Sequence, residues 1–184
     1  LDRASQFKAP VASPASSENT THFVVADAAG NIVSATQTLG NLFGSRIMPA
    51  GTGIWLNNSL AYSTFEPKGN PMDAHPGPRK LSGDCPTIVF RGGRPFAALG
   101  TPGGHTIGQT VAQMVMNLVD FGMPIDAAIN APRVSFIEPN QLAVEDGVPA
   151  TVRSALAGLG HEVVIRQLGN AHGLVIEYAD DGRL

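Results

Sequence analysis

Stretches with strand character come in consecutive pairs along this chain, and a short polar turn joins each pair. The first pair is THFVVAD and IVSATQTL with AAGN between them, and the second is TIVF and PFAALGT around RGGR. β-Branched and aromatic residues favour strands, and short Gly- or Asn-containing connections favour antiparallel pairing. The sequence therefore predicts two β-hairpins.

Helical patterns separate the second hairpin from the later strands. Apolar residues recur at helical spacing from Ile107 to Leu118, with Gly122 fitting the helix end, and Thr106 and Gln109 fit a capping box at its start. A short helix is predicted over Ile125–Asn130, stopped by Pro132, and another over ATVRSALAGLG, ended by Gly160. RVSFI, QLAVED, HEVVIRQL, GLVIEYAD and a short segment around Ile54–Leu56 are predicted strands. This order indicates a layered α+β fold rather than an alternating parallel α/β fold.

Composition excludes several classes of protein. The 184 residues are 43% hydrophobic and 15% charged, which is typical of one globular domain. The net charge of −3 without a basic block argues against a nucleic-acid partner, and no apolar run reaches the roughly 20 residues of a membrane span. The single cysteine, Cys85, excludes an internal disulfide and a cysteine-based zinc site. No two histidines lie three or four residues apart, so we expect no metal.

Two segments lack regular patterns. Residues 1–19 are dominated by Ser, Ala and Pro and are interpreted as a linker. Residues 66–86 contain five prolines and three glycines, and such long irregular loops are frequently functional, so this segment is a candidate lid or binding loop.

The first hairpin has a predicted register. If residues 27–31 connect the strands symmetrically, facing positions sum to 58, and Thr20 lies opposite Thr38 on one face of the sheet. A slip by one residue would move Thr38 to the other face.

Thr20 opens the first strand directly after the linker. A threonine hydroxyl needs a base to act as a nucleophile, and the α-amine of an N-terminal threonine, with a pKa near 7.7–8.0, is suited to that task. The nitrogen of Thr20 is an amide here, so this chemistry requires cleavage of the Asn19–Thr20 bond. Two ordinary strand threonines are the alternative interpretation.

Gly103 and Gly104 stand immediately before the long predicted helix. Unsatisfied N–H groups at a helix start, with no Cβ in the way, could hold an oxyanion. The alternative is a tight strand-to-helix turn.

Several motifs in order resemble the small subunit of the γ-glutamyltranspeptidase family, from Thr20 almost to Leu184. They are Thr20-Thr21-His22-Phe23, Asp27-x-x-Gly30-Asn31, Thr36-x-Thr38-Leu39, Gly53-Ile54-x-Leu56-Asn57-Asn58, Cys85-Pro86-Thr87-Ile88-Val89, Gly100-Thr101-Pro102-Gly103-Gly104 and Asn130-Ala131-Pro132-Arg133. The resemblance implies an αββα-sandwich N-terminal-nucleophile hydrolase, incomplete without its large subunit. Residues 1–19 would then precede the cleavage site, and residues 20–184 would form the small-subunit catalytic domain.

The resemblance also implies roles for single residues. Thr20 would cleave the bond after Asn19, and its freed amine would activate its hydroxyl for attack on an amide. Thr38 would position that hydroxyl, and the N–H groups of Gly103 and Gly104 would hold the oxyanion. Water or an acceptor amine would release the acyl group, and no cofactor is implied.

The predicted substrate-binding residues depart from the family pattern. Gly40 stands where an asparagine usually contacts the substrate, and Tyr62 stands where an aspartate binds the γ-glutamyl α-ammonium. Ser59 replaces a Gln or Glu beside that ammonium, and Ser82-Gly83 replaces a Ser-Ser pair that binds the α-carboxylate. Loss of one charge-assisted hydrogen bond costs about 1.5–3 kcal/mol, or one to two orders of magnitude in affinity.

Three functions stay open on the sequence. The first is a γ-glutamyl hydrolase or transpeptidase with an altered pocket, and the second is an acylase acting on another amide, such as a glutaryl amide. The third is an unprocessed, non-catalytic homologue. In the first two cases we expect the large subunit of the same precursor as partner and an inactive isolated chain. Periplasmic, secreted and cytoplasmic locations are all compatible with the sequence.

Overall fold

The computed structural model describes residues 19–64, 69, 73–77, 82–137, 140–168 and, as backbone, 172–175. The strands are β1 (Thr20–Ala26), β2 (Ile32–Thr38), β3 (Thr87–Arg91), β4 (Arg94–Gly100), β5 (Val134–Ile137), β6 (Gln141–Val144), β7 (Glu162–Ile165) and β8 (His172–Val175). The helices are α1 (Ile107–Val119), α2 (Ile125–Asn130) and α3 (Ala150–Gly158), with 3₁₀ turns at Ser59–Tyr62 and Gly104–Thr106. None of the helices in this part of the chain is long and apolar enough to cross a membrane.

The β1–β2 hairpin has the predicted register. Thr20 pairs with Thr38, and the pairing continues to Ala26 and Ile32 without a bulge. The turn is held by Asp27, whose carboxylate accepts the backbone N–H groups of Ala29 and Asn31, each at 2.9 Å. This local closure fixes the register, so the side chains of Thr20 and Thr38 share one face.

The second sheet has the strand order β3-β4-β8, all antiparallel, and its two faces are covered differently. Ala97 and Leu99 of β4 pack against α1 and α2 in a core that is completed by Ile107, Val111, Met114, Leu118 and Ala128. On the opposite face, β4 contacts the β1–β2 hairpin. The result is a stack of helices, sheet and hairpin, and the helix pattern predicted from Ile107 onward is confirmed.

The third sheet, β5-β6-β7, contains a feature that the sequence order did not predict. β6 and β7 are parallel and α3 connects them, so they form a βαβ unit, whereas the other strand pairs among the described residues are antiparallel. Hydrophobic patterning predicts each element but does not give the direction of its partner.

Two local predictions are wrong. Ile54–Leu56 is not a strand, although Leu56 exchanges backbone hydrogen bonds with Ser45 and Ile47 on the facing loop. The capping box is also absent, because the Thr106 hydroxyl bonds back to the Gly103 carbonyl at 2.9 Å and the Gln109 amide bonds to Phe136.

Some predictions fall partly or wholly outside the described residues. These are the linker at residues 1–18, most of the loop at 66–86, and the strand GLVIEYAD beyond Val175.

Candidate functional site

The Thr20 hydroxyl lies at the start of β1 and donates to the Thr38 hydroxyl across the hairpin at 3.0 Å. The Thr38 oxygen also accepts the backbone N–H of Gly40 at 2.9 Å. Two donors therefore fix the Thr38 oxygen, and this oxygen in turn fixes the rotamer of Thr20. The peptide bond to Asn19 is intact in this chain, so the Thr20 nitrogen is an amide without usable basicity.

His22 supports this pair from the same face of β1. Its ring is buried, and Nδ1 lies 2.9 Å from the Thr36 hydroxyl. A Cβ on Gly100 of β4 would lie 2.5 Å from the ring Nδ1 and 2.7 Å from Nε2, so the ring fits only because residue 100 is glycine. This close approach sets the spacing between the Thr20 hairpin and β4.

The end of β4 leads toward Thr20. The Ser34 hydroxyl contacts the Leu99 carbonyl at 3.4 Å, whereas His22, which lies nearer to Thr20, packs on Gly100. The chain thus leaves β4 in the direction of Thr20 and enters the turn that contains Gly103 and Gly104.

Gly103 and Gly104 adopt backbone conformations that L side chains rarely reach, with φ of +143° and +60°. Within the described residues, neither N–H donates to a protein acceptor. Both precede α1, where N–H groups have no partner inside the helix. The turn therefore presents two adjacent donors that an oxyanion could accept.

The residues predicted to bind substrate lie around this turn and the hairpin end. A Cβ on Gly83 would lie 3.4 Å from the Gly104 carbonyl, and neighbouring Ser82 is exposed and bonded to Asp84 at 2.8 Å. The Tyr62 ring packs edge-to-face on His105, with centroids 5.2 Å apart, and His105 directly follows Gly104.

Gly40 is buried with a φ of +84°, and a Cβ there would collide with the Asn58 side chain. Asn58 Oδ1 accepts the backbone N–H of Asn41 at 2.9 Å. Asn58 is followed by buried Ser59, whose 3₁₀ turn carries Tyr62. Asn58 thus occupies the space of a side chain at position 40.

A buried ion pair lies behind the Gly103 turn. Arg133 and Glu145 are joined by two side-chain hydrogen bonds of 3.1 Å, and Glu145 also accepts the backbone N–H of Leu168 at 3.0 Å. Burial raises the pKa of the Glu145 carboxyl, but hydrogen bonds from Arg133 and the Leu168 backbone outweigh it and hold the pKa below the ordinary value of 4.5.

The structure places the predicted residues in one continuous neighbourhood. Thr20, Thr38 and Gly40 are linked by hydrogen bonds, and Asn58 connects Gly40 to the turn of Ser59 and Tyr62. His105 connects that turn to Gly104 and Gly83. Sequence reasoning did not single out Asn58, His105, Glu145 and Leu168. Asn58 lies within a quoted motif, and Arg133, the partner of Glu145, lies in another, so the motifs carried part of the signal.

No group of three or more His, Cys, Asp or Glu side chains suited to a metal ion occurs in the described ranges.

Comparison with known proteins identifies the family. The γ-glutamyltranspeptidase family profile matches residues 2–181. The chain belongs to the γ-glutamyltranspeptidase family, whose members are N-terminal-nucleophile hydrolases. A solved chain of a Helicobacter pylori γ-glutamyltranspeptidase mutant superposes with a TM-score of 0.79 at 32% identity, covering 89% of this chain and 95% of that one. The expected α+β fold is confirmed.

Two curated relatives in this family carry different names. The chain is 38% identical over 161 residues to the glutathione hydrolase proenzyme of Bacillus subtilis, covering 86% of this chain and 27% of that protein. It is 39% identical over 170 residues to the acylase ACY 1 proenzyme of a Pseudomonas species, covering 91% of this chain and 30% of that protein. The chain thus spans less than a third of the length of these relatives, and both are proenzymes.

Proposed function

We propose that the protein containing this chain is an amide-cleaving enzyme that processes itself at Asn19–Thr20 and then uses Thr20 as an N-terminal nucleophile. The observation that carries the proposal is the 3.0 Å hydrogen bond between the Thr20 and Thr38 hydroxyls at the first residue of β1. Family membership supports it, and so do the N–H groups of Gly103 and Gly104, which donate to no acceptor in the part of the chain that the structure describes.

Processing begins when Thr20 Oγ1 attacks the carbonyl carbon of Asn19. The C–N bond breaks, the nitrogen takes up the hydroxyl proton, and the Asn19 acyl group is held as an ester on Thr20. Water hydrolyses this ester, leaving a carboxylate on Asn19 and a free α-amine on Thr20. That amine titrates near pH 8 and is the base that the intact chain lacks.

Catalysis then uses the same oxygen. The α-amine takes the proton from Oγ1 as this atom attacks the substrate carbonyl carbon, and the N–H groups of Gly103 and Gly104 hold the oxyanion that forms. The protonated amine passes its proton to the leaving nitrogen, which departs and leaves an acyl ester on Thr20. Water or an acceptor amine resolves the ester, giving hydrolysis or acyl transfer.

We infer that the acyl group is bound by Gly40, Ser59, Tyr62, Ser82 and Gly83. Tyr62 and His105 present aromatic surface where the family resemblance places an aspartate for the α-ammonium, and Gly40 leaves its space to Asn58. An acyl chain without an α-ammonium, such as glutaryl, fits this chemistry better than γ-glutamyl. The relative named an acylase supports an acyl group other than γ-glutamyl, whereas the relative named a glutathione hydrolase supports a γ-glutamyl substrate.

The partner is the upstream segment of the same precursor, which would serve as the large subunit. Residues 1–19 would be the end of that segment, and residues 20–184 would be the catalytic small subunit.

The nucleophile is tested in the full-length precursor. Thr20→Ala should abolish both the new amino terminus at residue 20 and amide cleavage, whereas Thr20→Ser should retain both at a reduced rate because serine keeps a hydroxyl and, after cleavage, an α-amine. Intact mass measures processing, and release of aniline from γ-glutamyl and glutaryl anilides measures activity. A wild-type protein that persists as a single chain without activity would support the non-catalytic alternative.

Substrate class is tested by Tyr62→Asp. The added carboxylate restores a partner for the α-ammonium, so kcat/KM for the γ-glutamyl anilide should rise by about tenfold or more, the value of one charge-assisted hydrogen bond. The glutaryl anilide should show no such gain. Tyr62→Phe is the matched control, because it keeps the ring and adds no charge. Equal responses to the two substrates would contradict the assigned role of Tyr62.

A further inference from the structure

The Arg133–Glu145 ion pair has a hydrogen-bonding arrangement that goes beyond pairing two charges. Each carboxylate oxygen accepts two donors. Oε2 accepts the Arg133 backbone N–H and Nε, and Oε1 accepts an Arg133 terminal nitrogen together with the Leu168 N–H. Both residues are buried, with 4% and 7% of their surface exposed. The carboxylate therefore holds the backbone of Leu168 at a defined point.

The Leu168 carbonyl in turn packs on Gly103. A Cβ on Gly103 would lie 3.2 Å from the Leu168 oxygen and 2.8 Å from Thr106 Oγ1. The Thr106 hydroxyl lies on the same side of Gly103 and donates to the Gly103 carbonyl at 2.9 Å. Gly103 is thus confined on its Cβ side by Leu168, which Glu145 holds, and by Thr106.

We propose that Glu145 is a positioning residue for the oxyanion donors, acting through Leu168 on the Gly103 turn. This proposal rests on the proposed function, since it concerns the aim of the Gly103 N–H at the oxyanion. Transition-state hydrogen bonds depend on placement to about 0.5 Å, so a shift of Leu168 changes the rate without removing any donor. Glu145 contacts neither substrate nor nucleophile in this scheme.

Glu145→Gln is the test variant, made in the full-length precursor. An amide replaces one acceptor oxygen by an NH₂ group that faces the donors of Arg133 or Leu168, so the arrangement around Leu168 must change. We expect kcat per active site to fall about tenfold or more with KM nearly unchanged, because the donors act mainly in the transition state. Active sites are counted by the burst of aniline release.

Asp146→Asn is the matched control. Asp146 is the next residue and pairs with Arg153 at 3.7 Å, but its side chain is 89% exposed and far less constrained. This variant should keep kcat, KM and the burst amplitude of the wild type.

Thr106→Val provides a second variant that acts on the same turn, through the Gly103 carbonyl. It removes the hydroxyl that bonds the Gly103 carbonyl, so it should lower kcat in the same way, and its effect should be non-additive with that of Glu145→Gln. If Glu145→Gln does not fold, an unchanged kcat in Thr106→Val overturns the proposal, and a selective fall in kcat supports it.

The outcomes separate the two proposals. A wild-type precursor that neither processes nor cleaves anilides defeats the proposed function itself. An active wild type whose Glu145→Gln variant has normal kcat per active site, or loses only burst amplitude, defeats the positioning role alone.

Discussion

At the scale of single residues, the site depends on glycines, which have no side chain, as much as on its threonines. Gly100 leaves room for the His22 ring, Gly40 leaves room for Asn58, and Gly103 admits the Leu168 carbonyl. Each absence lets two chain segments approach more closely than a Cβ allows. The hydroxyls of Thr20 and Thr38 are easily recognised in the sequence, but their surroundings are shaped by these glycines.

Gly100→Ala tests this at the best-defined contact. The new methyl group meets the imidazole of a buried histidine, and overpacking of this kind costs about 1–3 kcal/mol of unfolding free energy. We expect a lower melting temperature and a slower appearance of the Thr20 amino terminus, measured by thermal unfolding and intact mass.

Gly108→Ala is the control for this substitution. Gly108 lies in α1, and a Cβ there would meet nothing within 4 Å. Helix propensity alone should then stabilise the protein by about 0.5–1 kcal/mol. If both variants have the same stability, the close packing of His22 on Gly100 does not constrain the fold.

At the scale of elements, α1 completes the hydrogen bonding of β5. Gln113 bonds both the N–H and C=O of Val134, at 2.9 and 2.7 Å, and Gln109 does the same for Phe136, at 2.8 and 3.2 Å. Four helical residues rise about 6 Å, and two strand residues rise about 6.8 Å, so the two glutamines match alternate residues of a strand. The helix thereby covers an edge that would otherwise present unpaired backbone groups.

Gln113→Ala should therefore destabilise the protein. Two backbone groups of partly buried Val134 lose their partner, which corresponds to about 1–3 kcal/mol in urea unfolding, and the Val134 amide should exchange its hydrogen faster. Gln37→Ala, at an exposed position of β2, is the control and should change stability by less than about 0.5 kcal/mol. Unchanged exchange at Val134 would contradict the role given to Gln113.

At the scale of the whole molecule, the described residues form a stack of helices, sheet and hairpin, and the outer face of the hairpin is apolar and exposed. The outer face of the hairpin carries Phe23, Val25 and Val33, which are 40%, 53% and 52% exposed. Contiguous apolar surface of this kind marks an interaction site. Under the proposed function, this is the face on which the upstream segment would pack.

Val25→Asp tests this assignment when the chain is co-expressed with the upstream segment. A charge buried in the interface should reduce co-purification strongly, since an unpaired buried charge is costly. Val152→Asp is the control, because Val152 is 45% exposed on α3, a helix that contacts β7. Equal recovery of the two variants would show that the hairpin face is not the contact.

The sequence predicted most elements because their signals are local. The Asp27 to Asn31 turn fixes the first hairpin and with it the pairing of Thr20 and Thr38, and the apolar spacing from Ile107 fixes α1. The predicted capping box does not form because the Gln109 side chain hydrogen-bonds to Phe136 of β5, and no local sequence pattern indicates this contact. The segment Ile54–Leu56 is predicted as a strand but lies in a loop, where Leu56 exchanges two backbone hydrogen bonds with the facing segment at Ser45 and Ile47.

By itself, the sequence determined the family, the hairpin register and the candidate nucleophile, because turn chemistry, hydrophobic periodicity and motif order are written along the chain. Only the tertiary structure decided which distant segments meet: His22 with Gly100, Asn58 with Gly40, Tyr62 with His105, and Glu145 with Leu168 behind Gly103. These contacts join residues far apart in the chain, and their existence depends on the space left by glycines and on the packing of whole layers. Neither the space beside a glycine nor the packing of the layers can be predicted from residues that are neighbours in the sequence.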